Sequence, residues 1–319
     1  MRFFNYQKTG YKVLNTEKSG VIALNTVKLL TKAYQNAKIE TIDEKSKYII
    51  FSDCHRGNGS MSDEFSRNEN TYLYALKHYF DQGYTYIEAG DGDELWEHKF
   101  GHIKKAHAGV FSRIRKFHED GRLIMLYGNH NIFLKNENYV RKNYETFYDH
   151  YYEVQNNLLK GIKPQEALRL KVQKTEQEIF IVHGHQGDFL NDQFWVFAMF
   201  SLKYFWRFLH SFGIRNPASP VKNVHKQHKI EKNYNKWIEE NKTMLLCGHT
   251  HRVKYPKQGQ LPYFNTGCCV YPRRITGIEI ADGKILLVQW RTVPDHDGIL
   301  RVQRKILRGP EPIEKFDIR

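Results

Sequence analysis

Short apolar runs, each followed at once by a polar loop, punctuate the chain. They are Tyr48-Ile49-Ile50-Phe51, Tyr84 to Ala89, Arg122 to Tyr127, Glu178 to Val182 and Thr243-Met244-Leu245-Leu246. Runs of this length that are apolar throughout predict strands buried on both faces. Helical spacing lies between the first three. Residues Asn68 to Phe80 place Tyr72, Leu73, Leu76, Tyr79 and Phe80 on one face, with Gly83 as the stop, and a second helix is predicted over Lys104 to His118. Strand, polar loop, helix, strand is a βαβ rhythm, which implies an α/β fold with a largely parallel sheet and ligands at the carboxyl ends of the strands.

Elsewhere the pattern is less regular. Val21, Leu24, Val27, Leu29, Leu30 and Tyr34 predict one amphipathic helix, so residues 1–46 read as an N-terminal helical extension. Residues 132–175 read as mostly helical and polar, with Leu168 to Val172 pairing Glu178 to Val182 around Lys174-Thr175-Glu176. Strands at Pro262 to Asn265, Arg274 to Ile280 and Lys284 to Trp290, the last two joined at Asp282-Gly283, predict a second, more antiparallel sheet. Residues 293–319 read as a C-terminal tail without a clear role. The main domain then spans 47–292, interrupted by a helical insertion over 189–242. From Phe194 to Lys232 that insertion carries nine aromatics and seven Lys/Arg against one acid, Glu231. Such a segment suits a lid over a cleft, or a peripheral contact with a membrane through 194–232.

Composition narrows the partners. The chain has 319 residues and a formal charge of +14, which implies an anionic partner: a phosphorylated small molecule, nucleic acid or an acidic membrane surface. Four cysteines, Cys54, Cys247, Cys268 and Cys269, are too few for a disulfide framework and read as small buried filler in a reducing cytoplasm. No run of about 18 apolar residues occurs, so no transmembrane segment is expected. Val21-Ile22-Ala23-Leu24 is soon broken by Asn25 and Lys28, unlike the core of a signal peptide.

The candidate chemistry lies in the strand-end loops. Gly248-His249-Thr250-His251 follows one apolar run, and imidazoles two residues apart on an extended chain share a side, from which they reach one metal or two adjacent ones. A pair of surface histidines in a turn would look the same. Four further loops match it: Asp53-Cys54-His55, Gly90-Asp91-Gly92-Asp93-Glu94, Gly128-Asn129-His130-Asn131 and His183-Gly184. Mixed imidazole and carboxylate donors suit Mn²⁺, Fe or Zn²⁺ better than Mg²⁺.

These five loops, in this order, resemble the calcineurin-like metallophosphoesterase superfamily, with its DxH, GDxx(D/E), GNH(D/E), HG and GHxH segments. The resemblance covers about residues 48–292. It implies a metallophosphoesterase-type two-sheet sandwich flanked by helices and holding two divalent ions, most simply Mn²⁺. Carried over, Asp53, His55 and His251 hold one metal, Asn129, His183 and His249 the second, and Asp91 bridges both. His130 protonates the leaving group or stabilises the transition state. Glu94 fits the last GDxx(D/E) position as a supporting group. Asn131 stands where the superfamily has an acid that orients the histidine, and its amide oxygen could take over that role. His183 is preferred over His185, as the first histidine of the HG turn. Asp93 reads as a capping or turn residue. Arg56, Arg252, Arg273 and Arg274 lie near these loops, and Arg56 and Arg252 are the candidates for binding phosphate.

Within the superfamily the chain is most similar to the branch containing UDP-2,3-diacylglucosamine hydrolase, on the GDGDE segment with Trp96 nearby, the acid after His183-Gly184, and the aromatic insertion before His249. The expected activity is hydrolysis of a phosphoester or pyrophosphate, with a nucleotide- or lipid-linked substrate. A nuclease or other phosphodiesterase is the alternative that the charge supports, and a non-catalytic binding module on the same scaffold is the third.

Overall fold

The computed structural model describes residues 26–149, 153–187 and 224–319. Two sheets face each other. The first has strand order β1-β7-β8-β9-β10, and the second β13-β12-β11-β2-β3-β4. In chain order the strands are β1 (Lys38–Ile42), β2 (Tyr48–Phe51), β3 (Thr85–Ala89), β4 (Leu123–Leu126), β5 (Thr146–Asp149), β6 (Val154–Asn157), β7 (Ala167–Val172), β8 (Glu178–Val182), β9 (Met244–Cys247), β10 (Tyr263–Asn265), β11 (Arg274–Ala281), β12 (Lys284–Pro294) and β13 (Leu300–Pro312). The helices are α1 (26–36), α2 (Glu69–Asp81), α3 (Phe100–Ala106), α4 (Ala108–Glu119), α5 (Glu137–Asn143) and α6 (Val224–Asn241).

Period-two alternation explains the layers. Ile50 of β2 and Ile179 and Ile181 of β8 belong to the cluster between the two sheets, with Ile87, Leu246, Phe264 and Ile278. Their neighbours point outward. Ile49 and Phe51 join a second cluster with Tyr72, Tyr79, Phe111 and Phe117 of α2 and α4. Phe180 and Val182 join a third with Leu30 of α1 and Tyr234 and Trp237 of α6. Each central strand is therefore buried on both faces, as its apolar run requires. The fold is an α/β two-sheet sandwich flanked by helices.

Several elements differ from the sequence expectation. The helix predicted over Lys104 to His118 is two helices, broken at His107, whose ring is drawn between Asp63 (2.8 Å) and Glu69 (2.9 Å). Among the described residues, 132–175 hold a 3-10 turn (Ile132–Lys135), one short α-helix, α5, an antiparallel β5–β6 hairpin and the strand β7, so they are not mostly helical. β6 is polar and largely exposed, so it gives no apolar period to read. The expected second sheet is divided. β10 pairs in parallel with β9, while β11 and β12 extend the sheet of β2, with Ile278 opposite Ile50. The extension before residue 47 contributes a strand, since β1 pairs in parallel with β7. The C-terminal stretch is not a tail. β13 pairs with β12, and Ile313 and Phe316 are buried between the sheets.

Of the insertion over 189–242, only α6 falls within the described residues, and the aromatic segment 194–208 lies outside them. α6 is anchored by Trp237, whose Nε1 donates to Thr31 Oγ1 (3.1 Å), and by Tyr234, whose hydroxyl donates to the Gly184 carbonyl. Among the described residues no helix is long and apolar enough to cross a membrane.

Candidate metal centre

The loops after β2, β3, β4, β8 and β9 meet at one end of the sandwich, held in register mainly by backbone. Asp53 N donates to Gly90 O (3.1 Å), His55 N to Asp91 O (2.9 Å), Arg56 N to Gly92 O (3.0 Å) and Gly248 N to His183 O (2.9 Å). Side chains complete the weave. His130 N donates to Asp91 Oδ1 (2.8 Å), and His249 N to Asp53 Oδ2 (2.9 Å).

Backbone conformation marks the same residues. Asp53, His55, Asp91, His249 and His251 all have φ between 47° and 65°, the left-handed region. Residues other than glycine adopt it at a cost of about 1–3 kcal/mol each and persist there only where the surroundings over-determine them. Five such residues in one cluster point to function rather than to a turn. They also answer why two histidines spaced i, i+2 need not share a side. His249 and His251 supply the twist themselves. Gly248 has a different reason: a Cβ there would lie 2.2 Å from Ser52 Oγ. Gly128 is held likewise, 2.2 Å from Asp91 Oδ1.

At this end of the sandwich, among the described residues, donor atoms gather into three groups, each within 4.8 Å: Asp53, His55 and His251; Asp91, His183 and His249; and His55, Asp91 and His130. In the first, His55 Nε2 lies 3.2 Å from His251 Nε2, and His251 Nε2 lies 3.1 Å from Asp53 Oδ1. In the second, His183 Nε2 is 3.0 Å from Asp91 Oδ2. His249 and His251 thus fall in different groups.

The donor set fits divalent cations. His183 Nδ1 donates to the Ala89 carbonyl (3.1 Å), and His55 Nδ1 donates to Glu94 (2.9 Å), so in both rings the Nε2 faces the centre as the ligand atom. Asn129 is buried, yet neither atom of its amide has a hydrogen-bond partner among the described residues. An unsatisfied buried amide costs about 1–3 kcal/mol, which a metal–oxygen bond removes. Electrostatics agree. Burial opposes ionisation of Asp53, but the charges of His251 and His183 hold it well below the usual carboxylate range. Asp91 is depressed likewise, chiefly by His183 against its burial. Burial alone would lower His251, but the Asp53 carboxylate lifts it to about 10. The buried carboxylates thus favour positive charge at the centre, which cations would supply.

His130 is placed by two contacts. Its ring stacks on Trp96 with centroids 4.2 Å apart, and its Nδ1 lies 2.8 Å and 2.7 Å from the two Glu94 oxygens. Glu94 therefore supports both His55 and His130. Burial would raise its pKa, but His130 holds it down at about 2. Asn131 does not take this role. Its amide oxygen accepts from Gly128 N (2.6 Å) and Asp91 N (3.3 Å), so it shapes the loop and leaves His130 to Glu94.

Arg56 requires a correction as well. It is fully buried, with Nε donating to Asp93 Oδ1 (2.6 Å) and its two terminal nitrogens to Glu88 (2.7 and 2.9 Å). It cannot reach a phosphate. Asp93 is no simple turn residue, since its other oxygen accepts from Tyr144 (2.6 Å). Arg252 is exposed beside His251. His185 is buried but outside all three donor groups.

Sequence reasoning missed Asn265. Its amide donates to Gly248 O (2.6 Å) and Thr250 Oγ1 (3.2 Å), tying the histidine loop to the end of β10. The signal was present, since Asn265-Thr266-Gly267 is another polar turn directly after an apolar strand.

No family model matches this chain, and no curated protein matches it. Among solved structures it is similar to Vacuolar Protein Sorting 29 from Cryptosporidium parvum, at 14% identity over 83% of this chain and 98% of that one, with a TM-score of 0.36. It is also similar to Chaetomium thermophilum Vps29, at 7% identity over 85% and 100% of the two chains and a TM-score of 0.37. A Staphylococcus aureus protein provisionally described as a 5'-nucleotidase, solved with alpha-ketoglutarate, gives 12% identity over 82% of this chain and 53% of that one, with a TM-score of 0.34. Likenesses this remote carry no argument about the chain, whose own geometry is the basis for reading its chemistry.

Proposed function

We propose that the chain is a metal-dependent phosphoesterase of the calcineurin-like superfamily with a dinuclear centre. One observation carries the reading: two groups of metal donors, Asp53–His55–His251 and Asp91–His183–His249, lie side by side on strained loops, with the unsatisfied Asn129 amide nearby. Asp91 belongs both to the second group and to the one with His55 and His130, which suits a bridging ligand. Two bound divalent ions, Mn²⁺ by preference with Fe or Zn²⁺ as alternatives, would polarise a phosphoryl group and supply hydroxide.

The protein's own residues do the rest. Asp53, His55 and His251 fix one coordination position; Asn129, His183 and His249 fix the other. Glu94 accepts from His130 Nδ1, so the ring presents Nε2 toward the centre. Protonated there, it donates to the leaving oxygen or steadies developing charge. Trp96 limits the ring's rotation by stacking.

The substrate is read more finely as a nucleotide- or lipid-linked phosphoester such as a UDP-linked lipid, on the resemblance and the aromatic segment 194–208. The charge of +14 supports nucleic acid as a second reading. The four cysteines are free and buried, in keeping with a cytoplasmic protein. The test is turnover of bis-p-nitrophenyl phosphate with Mn²⁺, alongside metal analysis. Wild type should bind two ions and turn over. Asp91→Ala should lose at least about 1000-fold in kcat and at least one ion. Equal rates in the two proteins would refute catalysis at this centre. Steeply salt-dependent binding of nucleic acid, with its cleavage, would favour the second reading. Two bound ions without turnover of any phosphoester would favour a binding module.

A further inference from the structure

Beside His251 lies a cluster of arginines with no counter-charge among the described residues. Arg252 follows His251 directly. Arg273 and Arg274 stand at the start of β11, and Arg291 of β12 is paired directly across the ladder from Arg274. Like charges opposed in this way are destabilising. Among the described residues none of the four side chains makes a hydrogen bond or an ion pair, and Arg291 Nε is shielded from water without a partner. On the neighbouring strand, by contrast, Arg304 is paired with Glu279 and Arg301 with Asp295. Arg273 is also strained, with φ of 63°.

The cluster adjoins the metal centre. β11 runs antiparallel to β2 with Ile278 opposite Ile50, so its first residues lie at the end of the sheet from which the Asp53 loop emerges. Cys269 N donates to Asp53 O (3.2 Å), and Asn68 Nδ2 donates to Tyr271 O (2.6 Å), which fixes the turn before β11 against the Asp53 loop. The Arg274 guanidinium lies 5.4 Å from the centre of the Tyr271 ring. Burial and Cys268 raise the Tyr271 hydroxyl, and Arg274 and Arg252 both pull it back, so both guanidiniums act on one point.

Arg274 beside the half-buried Tyr271 ring, Arg252 acting on the same hydroxyl, and Arg291 across the ladder from Arg274 form a site for a compact polyanion. Their planar forks match phosphoryl oxygens two at a time. We propose that Arg252, Arg273, Arg274 and Arg291, with Tyr271, hold a second phosphoryl group of the substrate, next to the one at the metals, and so select phosphoanhydride-linked substrates over simple monoesters. The inference rests on the phosphoesterase reading for its placement of the first phosphoryl group.

Calorimetric titration of the full-length, Mn²⁺-loaded protein tests the site with three probes: α,β-methylene-ADP, AMP and a twelve-nucleotide dT strand. Wild type should bind α,β-methylene-ADP at least about 10-fold tighter than AMP. Arg274→Ala with Arg291→Ala should erase that preference, while the Lys pair restores part of it through charge without the fork. Thermal melting checks that each variant is folded. Equal affinity for the two nucleotides in wild type, an undiminished preference in the double Ala variant, or tighter binding of the dT strand than of α,β-methylene-ADP would each overturn the proposal. If the preference holds but no phosphoester is turned over, the subsite stands and the phosphoesterase reading falls. Turnover without any preference has the opposite meaning.

Discussion

Asp53 and Arg56 lie three residues apart and show two ways of burying charge. Asp53 sits in a left-handed conformation, faces His251 at 3.1 Å and belongs to a group of donors that protons only partly satisfy. Arg56 is just as buried, but Glu88 and Asp93 take its fork, and Tyr86 and Tyr144 in turn donate to those carboxylates. The first region stores strain and unmet coordination. The second is a closed polar knot beneath it, joining the end of β3 to the loops that carry Asp53 and Asp91. Removing a residue from the first should cost activity and metal most, although its pairings also stabilise the metal-free fold. Removing one from the second should cost the fold.

The largest effect expected is therefore split. Asp91→Ala should abolish turnover and also lower metal-free stability, since His130 N loses its acceptor and His183 its carboxylate, but by less than Arg56→Met, because His183 can shed its proton. An equal or larger loss would erase the distinction between the two regions. Arg56→Met should lower metal-free stability by about 3–5 kcal/mol, because it strands Glu88 and Asp93 as buried, unpaired acids. Urea denaturation measures this directly, and a drop below about 1 kcal/mol would show the knot to be dispensable. Glu94→Gln is intermediate. It keeps the shape but weakens the support of His55 and His130, and should cost about 10–100-fold in metal affinity or rate. A full loss of fold would move Glu94 into the second region.

The smallest effect is in pH. Relative to an ordinary 6.5, His251 rises to about 10, so its pairing contributes fully below 6.5 and is lost as pH climbs through 10. Glu94 falls from an ordinary 4.5 to about 2, so its contribution is present above 4.5 and lost as pH drops through 2. Metal-free protein should accordingly show, from these two groups, a urea midpoint that is highest between pH 4.5 and 6.5 and declines on both sides. Mn²⁺ must displace the imidazole protons, so its affinity should rise across the upper limb, with proton release measurable by calorimetry in two buffers. Mn²⁺ binding that is independent of pH would mean that the imidazoles are not its ligands.

Much of the candidate site is legible in the chain because strand ends are local features. An apolar run announces the strand, and the next few residues must emerge at its carboxyl edge wherever the strand sits in the sheet. Asp53, His55, Asp91, Asn129, His183, His249 and His251 are found that way, and the structure brings their loops together. Arg56 is misjudged for a related reason. Residue types near a loop do not state which way a side chain points. Left-handed φ at Asp53 and His55 turns the chain so that Arg56 faces the interior. Asn131 and Glu94 exchange roles because a contact across 36 residues decides which carboxylate meets His130.

Sequence by itself determined the βαβ rhythm, the buried strands and the order of the polar loops, since these follow from hydrophobic period and from local turn chemistry. Only the tertiary structure decided the rest. It put β11, β12 and β13 beside β2, broke the helix at His107, sent Arg56 inward and left Arg252, Arg274 and Arg291 without a carboxylate partner among the described residues. Those outcomes depend on which charges meet across the fold, and pairing between distant segments has no local period to announce it.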